Sequence, residues 1–300
     1  MITVVLSGGG NRGALEVGAL RALFEAGIRV DMLVGTSAGA LNATALACDP
    51  TPAGVDRLAS LWTSAAGEPI FPGGFFSQAV RFLTGQDSLY PNGGLRRFVQ
   101  ANLPPGVRTF GDVRVRLYLI SANLNTATLY VFGEEPSASL VDAALASAAF
   151  PPYFPPVTVA GWQYVDGGAV ANVPLSVAID LGAREIYAID VSYAGAVQRA
   201  VHGVIPVALQ TIQTLMYQQL LDDLQDVAAR SDVTLHHLRI DAFQELAVTD
   251  LSKSREMIEE GYRQAKAQLA RPVAAAASLA ADPPPAPPPP GARVWRRPVA

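Results

Sequence analysis

Two short segments near the N-terminus carry groups suited to acyl transfer. Gly8-Gly9-Gly10-Asn11-Arg12-Gly13 follows the apolar run Ile2-Thr3-Val4-Val5-Leu6 and leads into a helical pattern. Gly35-Thr36-Ser37-Ala38-Gly39 is a G-x-S-x-G after a second apolar run, Val30 to Val34, and again leads into a helix. Between a strand and a helix, such a motif lifts the serine hydroxyl out of a tight turn. Gly35 and Gly39 leave the room that turn needs. In the first loop, consecutive glycines let main-chain amides converge without Cβ obstruction, and the helix starting near Arg12 adds positive potential. Two successive strand-loop-helix units bring both loops to one edge of a parallel sheet. An oxygen nucleophile beside clustered amide donors is the minimum equipment for acyl transfer.

The glycine loop has a rival reading. Gly8, Gly10 and Gly13 satisfy G-x-G-x-x-G, and Asp31 follows at about the distance of a ribose-binding acid, as in a dinucleotide site. A ribose ligand must sit at the carboxyl end of the second strand, whereas Asp31 opens that strand. A nucleophile turn stands at the carboxyl end instead, which favours an oxyanion-binding role for the loop. Arg12 could orient an anion there or serve in an ion pair between loops.

A serine nucleophile needs a base, and the chain has three histidines, His202, His236 and His237. His236 and His237 fall inside a strand pattern, His202 falls in a loop, and none has a flanking motif. Asp166, in Tyr164-Val165-Asp166-Gly167-Gly168, is the better candidate, because a short strand delivers it and two glycines permit close approach of another backbone. With an ordinary carboxyl pKa of about 3.9 it would be ionised at neutral pH but a weak base. The alternative for this segment is a plain aspartate-glycine hairpin.

Taken together, the three segments resemble the patatin-like phospholipase family, whose members carry a G-G-G-x-R/K-G loop, a G-x-S-x-G turn and a D-G-G/A aspartate. Ala146-Ser147-Ala148-Ala149-Phe150-Pro151, Phe154-Pro155-Pro156-Val157 and Asn172-Val173-Pro174 are softer matches to the segments flanking that aspartate. The resemblance covers about residues 1–190 well and extends through 270. It implies a three-layer α/β/α sandwich with a mainly parallel central sheet, a Ser-Asp dyad, and hydrolysis of lipid acyl esters of the phospholipase A or lysophospholipase type. By that resemblance Ser37 is the nucleophile, Asp166 the base, and the amides of Gly9, Gly10, Asn11 and Arg12 the oxyanion donors, with no metal or cofactor required. The alternatives are a catalytically silent lipid-binding protein on the same fold, a histidine-dependent α/β-hydrolase, and a dinucleotide-binding oxidoreductase.

The elements that must position these groups alternate between helix and strand patterns, an α/β arrangement. Residues 52–66 and 93–102 read as helices, Arg114 to Ala122 and Thr128 to Phe132 as a hairpin, and Ser139 to Ala148 as a small-residue helix. A helix over Val173 to Leu181, capped by Asn172, leads to a strand over Glu185 to Val191. The longest helix, 206–229, carries Leu209, Ile212, Leu215, Met216, Leu220, Leu224 and Val227 as one apolar stripe that reads as core packing. A strand over Val233 to Ile240 and a helix over Ser252 to Leu269 complete a catalytic domain spanning 1–270. Phe71, Phe75, Phe76, Val80, Phe82 and Leu83 could form a lid, an acyl-chain wall or ordinary core. Residues 271–300 are rich in alanine and proline, carry Arg271, Arg293, Arg296 and Arg297 against Asp282, and read as a basic, extended or disordered tail.

Composition narrows the partners. A net charge of −4 argues against a broad nucleic-acid surface. The single cysteine, Cys48, forms no internal disulfide and reads as a buried, inert thiol, which fits a reducing, cytoplasmic compartment. No secretory leader or membrane span is read, so contact with a membrane would be peripheral. Ser37→Ala should abolish turnover of a fluorogenic acyl ester. Replacing each histidine in turn should leave turnover within a few-fold, and a large loss at any of them, with folding intact, would mark a histidine-dependent hydrolase.

Overall fold

A computed structural model describes residues 1–192 and 200–270. The tail over 271–300 therefore lies outside the described residues, as does the side chain of Phe75. Eight strands form one sheet: β1 (Ile2–Leu6), β2 (Met32–Thr36), β3 (Arg116–Asn123), β4 (Thr128–Phe132), β5 (Val157–Val159), β6 (Trp162–Asp166), β7 (Glu185–Asp190) and β8 (Thr234–Arg239). The helices are α1 (Gly13–Glu25), α2 (Ala38–Cys48), α3 (Pro52–Ala65), α4 (Phe75–Leu83), α5 (Gly93–Asn102), α6 (Leu140–Ser147), α7 (Gly168–Ala171), α8 (Leu175–Asp180), α9 (Val204–Ala228) and α10 (Ser254–Leu269). The sheet runs β5-β6-β3-β2-β1-β7-β8, with β4 also paired to β3. Strands β3, β2, β1, β7 and β8 are parallel; β4 and β6 run against them, and β5, antiparallel to β6, runs with them.

Both faces of the sheet are covered, so its central strands are continuous apolar runs rather than alternating ones. Val4, Leu6 and Leu33 pack on one side with apolar residues of α1, α2, α6 and α10. Val5, Met32 and Val34 pack on the other with residues of α7, α8 and α9. The result is the three-layer α/β/α arrangement that the motifs implied.

The register of β3 explains how two distant segments meet. Its first half, Arg116 to Ile120, pairs with β2, ending at Thr36↔Ile120. Its second half, Ser121 to Asn123, pairs with β6, beginning at Ser121↔Asp166. Strand β4 pairs with Leu119 to Asn123, overlapping both, and so occupies the opposite flank of β3. Strands β2 and β6 therefore lie on the same flank of β3, pointing at one another end to end. Ser37 leaves the tip of one, and Asp166 closes the tip of the other.

Two helix expectations change. The helix expected over Val173 to Leu181 begins at Leu175, because Pro174 occupies its N-cap and the short α7 ends at Ala171. Asn172 lies between the two helices and makes no cap bond. The apolar stripe of α9 is not core throughout: of its seven residues only Leu220 and Val227 are buried, and Leu215 is 60% exposed. Length supplies the reason. Twenty-five residues of helix rise roughly 37 Å, whereas a six-residue strand such as β7 spans only about 20 Å. The N-terminal half of α9 overshoots the sheet and has none of it to pack on.

The junction leaves no room for a side chain at Gly39, where a Cβ would overlap the Leu6 carbonyl oxygen; at Gly35 one would sit 2.6 Å from the Gly39 oxygen. Gly39→Ala should therefore cost about 3 kcal/mol or more in urea unfolding, as overpacking against fixed backbone does. An unchanged unfolding midpoint would contradict this packing.

Candidate active site

Ser37 stands between β2 and the first residue of α2, with φ 56° and ψ −120°. Positive φ at a non-glycine residue is strained, and such strain concentrates at functional turns. What holds it is Ser147, at the end of α6. The Ser37 N–H donates to Ser147 Oγ at 3.0 Å, and Ser147 Oγ–H donates to the Ile120 carbonyl at 2.5 Å. Ser147 thus plugs the gap where β2 stops and β6 begins. The same region carries the other tip, since Asp166 N–H donates to the Ala149 carbonyl and Gly167 N–H to the Ser147 carbonyl.

Asp166 is 1% exposed. The Gly168 N–H donates to its Oδ1 at 2.7 Å, while Oδ2 is buried without a regular hydrogen bond among the described residues. Burial pushes the carboxyl up to about 7, and the Ser37 hydroxyl and the Gly168 amide hold it back only partly. The approach of Ser37 is thus close enough to be felt but looser than a regular hydrogen bond, as is common in unliganded sites. This corrects the expectation of an ordinary, fully ionised carboxylate. Desolvation makes Asp166 a stronger base than its residue type implies.

The glycine loop closes over the same point. Gly8 N–H donates to the Asn172 carbonyl at 3.0 Å, and Asn172 Nδ2 returns a bond to the Gly8 carbonyl at 3.3 Å. Asn172, expected as a helix cap, is instead a clamp on the loop. Asn11 fixes the far end: its N–H donates to Val248, and its Nδ2 to the carbonyls of Ala247 and Asp250, each at 3.0 Å. These bonds revise the predicted donors. The amides of Asn11 and Arg12 are spent, on the carbonyls of Val248 and Gly9. Those of Gly9 and Gly10 have no backbone acceptor among the described residues. The Arg12 side chain is fully buried and does not line the cavity, so it is not placed to hold an anion there.

All of this forms the polar end of a cavity of about 360 Å³. Gly8, Gly9, Gly10, Ser37, Asp166 and Asn172 line that end. Trp62, Phe71, Phe98 and Phe154 form one apolar wall, and Leu209, Met216 and Leu220 of α9 another. A buried polar chain ties the aromatic wall to the loop. Trp62 Nε1 donates to Asn42 Oδ1 at 2.7 Å, and Asn42 Nδ2 reaches the Gly13 carbonyl and Glu16 Oε2, both at 2.8 Å. Burial holds the Glu16 carboxyl well above its usual range, against the opposing hydrogen bond from Asn42.

The histidines are elsewhere. None of the three lines the cavity among the described residues. His236 stacks on Tyr187 with ring centroids 4.2 Å apart, and His237 Nε2 lies 3.0 Å from Asp190 Oδ2. Asp31 accepts from the Ile2 N–H at 2.7 Å, at the opposite edge of the sheet from Ser37, which removes the ribose-binding reading. Cys48 is buried, its thiol pushed up to about 11 by desolvation, as expected of an inert one. Of the suspected lid, Phe71 is wall, stacked on Phe154 and edge-on to Tyr90, whereas Phe76, Phe82 and Leu83 are exposed.

The family model for patatin-like phospholipases matches residues 4–179, more than half of the chain. The chain belongs to the patatin-like phospholipase family. Among curated relatives, a patatin-like phospholipase domain-containing protein of Caenorhabditis elegans, ZK370.4, is 34% identical over 191 residues, covering 63% of this chain and 13% of its own. The lysophospholipase NTE1 of Mycosarcoma maydis is 29% identical over 198 residues, covering 63% of this chain and 10% of its own. This chain thus spans only a small part of the curated relatives it matches. Among solved structures, VipD of Legionella pneumophila gives a TM-score of 0.48 at 16% identity, covering 89% of this chain and 66% of that one. In the patatin-like frame, the sequence motifs Ala146-Ser147-Ala148 and Asn172-Val173-Pro174 were the available signals for Ser147 and Asn172, whose contacts the motifs alone did not specify.

The buried carboxyl sets a stability test. Between its ordinary value of 3.8 and about 7 the folded protein keeps a proton that the unfolded chain releases. The contribution of Asp166 to stability therefore falls as pH rises through that window and stays low above it. Asp166→Asn, which keeps the shape without the charge, should raise Tm at pH 8 by about 2–4 °C for each kcal/mol relieved, and by much less at pH 4. A Tm at pH 8 no higher than wild type would contradict the burial of this charge.

Proposed function

We propose that this domain hydrolyses carboxylic esters of lipids, with Ser37 as nucleophile and Asp166 as general base. As Ser37 Oγ attacks the ester carbonyl, Asp166 accepts its proton, and the Gly9 and Gly10 amides receive the developing oxyanion. Collapse breaks the ester bond, and the proton on Asp166 passes to the departing alcohol or lysolipid. A water molecule then gives its proton to Asp166 and attacks the acyl-serine. The fatty acid leaves, and Ser37 regains its proton.

The observation that carries this reading is that Ser37, Asp166 and the Gly9 and Gly10 amides, which have no backbone acceptor among the described residues, line the polar end of one apolar cavity that no described histidine lines. The N-termini of α1 and α2 add fixed positive potential at that end. The cavity's apolar walls suit an acyl chain, and one relative is a lysophospholipase, so a lysophospholipid or other single-chain ester is the preferred substrate, met at a lipid surface to which the protein binds peripherally. Among described residues no helix is long and apolar enough to cross a membrane.

Purified protein should release fatty acid from lysophosphatidylcholine at least tenfold faster than from diacyl phosphatidylcholine. A fluorophosphonate probe should label Ser37 and no other residue, and Ser37→Ala should lose both labelling and at least a thousandfold in kcat. Labelling without turnover on any acyl ester would leave a reactive serine but not a hydrolase, and turnover surviving in Ser37→Ala would overturn the assignment.

A further inference from the structure

Two helices, α9 lining the cavity and α4 tied to its wall, present apolar residues outward. Met216 of α9 lies at the level of the candidate dyad, since a Cβ on Gly168 would sit 2.9 Å from the Met216 methyl and 3.0 Å from Asp166 Oδ1. The twelve residues before it, Val204 to Leu215, rise roughly 18 Å beyond that level. There Val204 is 89% exposed and Leu215 60%, with Ile205 and Val207 also exposed, while Leu209 and Gln213 of the same turns line the cavity. From Val204 to Leu221 there is no charged residue. A helix face turned to water is ordinarily polar or charged.

Helix α4 repeats the pattern. Phe71 just before it is cavity wall, and Gln78 within it donates to Tyr90 Oη at 2.7 Å, which itself packs on Phe71. Its outward residues Phe76 and Leu83 are each 82% exposed and Phe82 69%. From Gly73 to Gln86 there is no acid and one base, Arg81, whose Nε is committed to the Ser88 carbonyl at 2.9 Å.

We propose that the outer faces of α4 and the N-terminal half of α9 form a docking surface for a phospholipid bilayer, which seats the cavity against the lipid. Three observations select this occupant. On α9 the exposed apolar residues share helix turns with the cavity-lining Leu209 and Gln213, and α4 is tied to the cavity wall at Phe71 through Gln78 and Tyr90. The apolar surface lacks the acids that a bilayer would repel and the bases that an acidic partner would need. It belongs to two short helical faces suited to insertion at the headgroup boundary. Binding is driven by apolar burial, so it is nearly insensitive to salt and to anionic lipid. The proposal rests on the lipid-ester reading but is tested separately from it.

The full chain carrying Ser37→Ala should co-float with phosphatidylcholine vesicles, and the same amount should float at 0.1 and 0.5 M NaCl. Adding Phe76→Glu, Leu83→Glu, Val204→Glu and Leu215→Glu should lower the partition coefficient at least tenfold. In the otherwise wild-type chain the four changes should leave hydrolysis of a water-soluble short-chain ester within about twofold, which also shows that the variant folds. Failure of the Ser37→Ala chain to float, or flotation of the fourfold variant at the parent level, would overturn the proposal. So would sedimentation showing a parent dimer that the four changes convert to a monomer, which would make the surface a contact between copies. Flotation without ester turnover by wild type would refute the hydrolase reading while leaving the docking surface standing.

Discussion

The site depends on one feature of the sheet: two strands, β2 and β6, share a flank of β3 and stop facing each other. Everything chemical sits in the gap. Hydrogen bonding along β3 fixes the distance between the tips, because Ile120 pairs with Thr36 and its neighbour Ser121 pairs with Asp166. Residues 129 positions apart in the chain are thereby held by backbone register rather than by a flexible loop. A break in a sheet normally leaves unpaired backbone groups, and their burial is costly. The Ser147 hydroxyl takes up two of them, the Ser37 N–H past the tip of β2 and the Ile120 carbonyl of β3, and its main-chain carbonyl takes the Gly167 N–H past the tip of β6.

The same construction explains the electrostatics. A carboxyl at the tip of an interior strand is stripped of water, which weakens it as an acid and strengthens it as a base. Among the described residues no charged partner relieves it, whereas the contacts of His237 and Ser192 hold the Asp190 carboxyl down to about 2 against its own desolvation. Two equally buried aspartates therefore end up on opposite sides of the ordinary value. The tension at Asp166 is tolerated because the surrounding framework is rigid: Asn172 and Asn11 fasten the glycine loop at both ends, and the Trp62–Asn42–Glu16 chain fastens the cavity wall to it.

Much of this was legible in the residues. The glycine loop, the serine turn and Asp166 stand where their motifs put them, and the position of Asp31 at the start of its strand already argued against a nucleotide. Three things were not legible. Burial of Asp166 depends on the pairing of β6 with the middle of β3, which no local pattern records. That the Asn11 amide is spent depends on Val248, which lies 237 positions away, and that the Arg12 amide is spent depends on the loop turning back on Gly9. Periodicity gave the α9 stripe its helix but not its partner, because a moment says which side is apolar and not whether core, cavity or solvent lies against it.

The central claim is that Ser37 is activated by a desolvated Asp166 and by nothing else. The most direct measurement is the rate of fluorophosphonate labelling at Ser37 as a function of pH, in wild type and in Asp166→Asn. Wild-type labelling should rise about tenfold per unit below pH 7 and level off above it. In the variant it should be slower by orders of magnitude and flat across the same range. Equal rates and equal pH profiles in the two proteins would contradict the account.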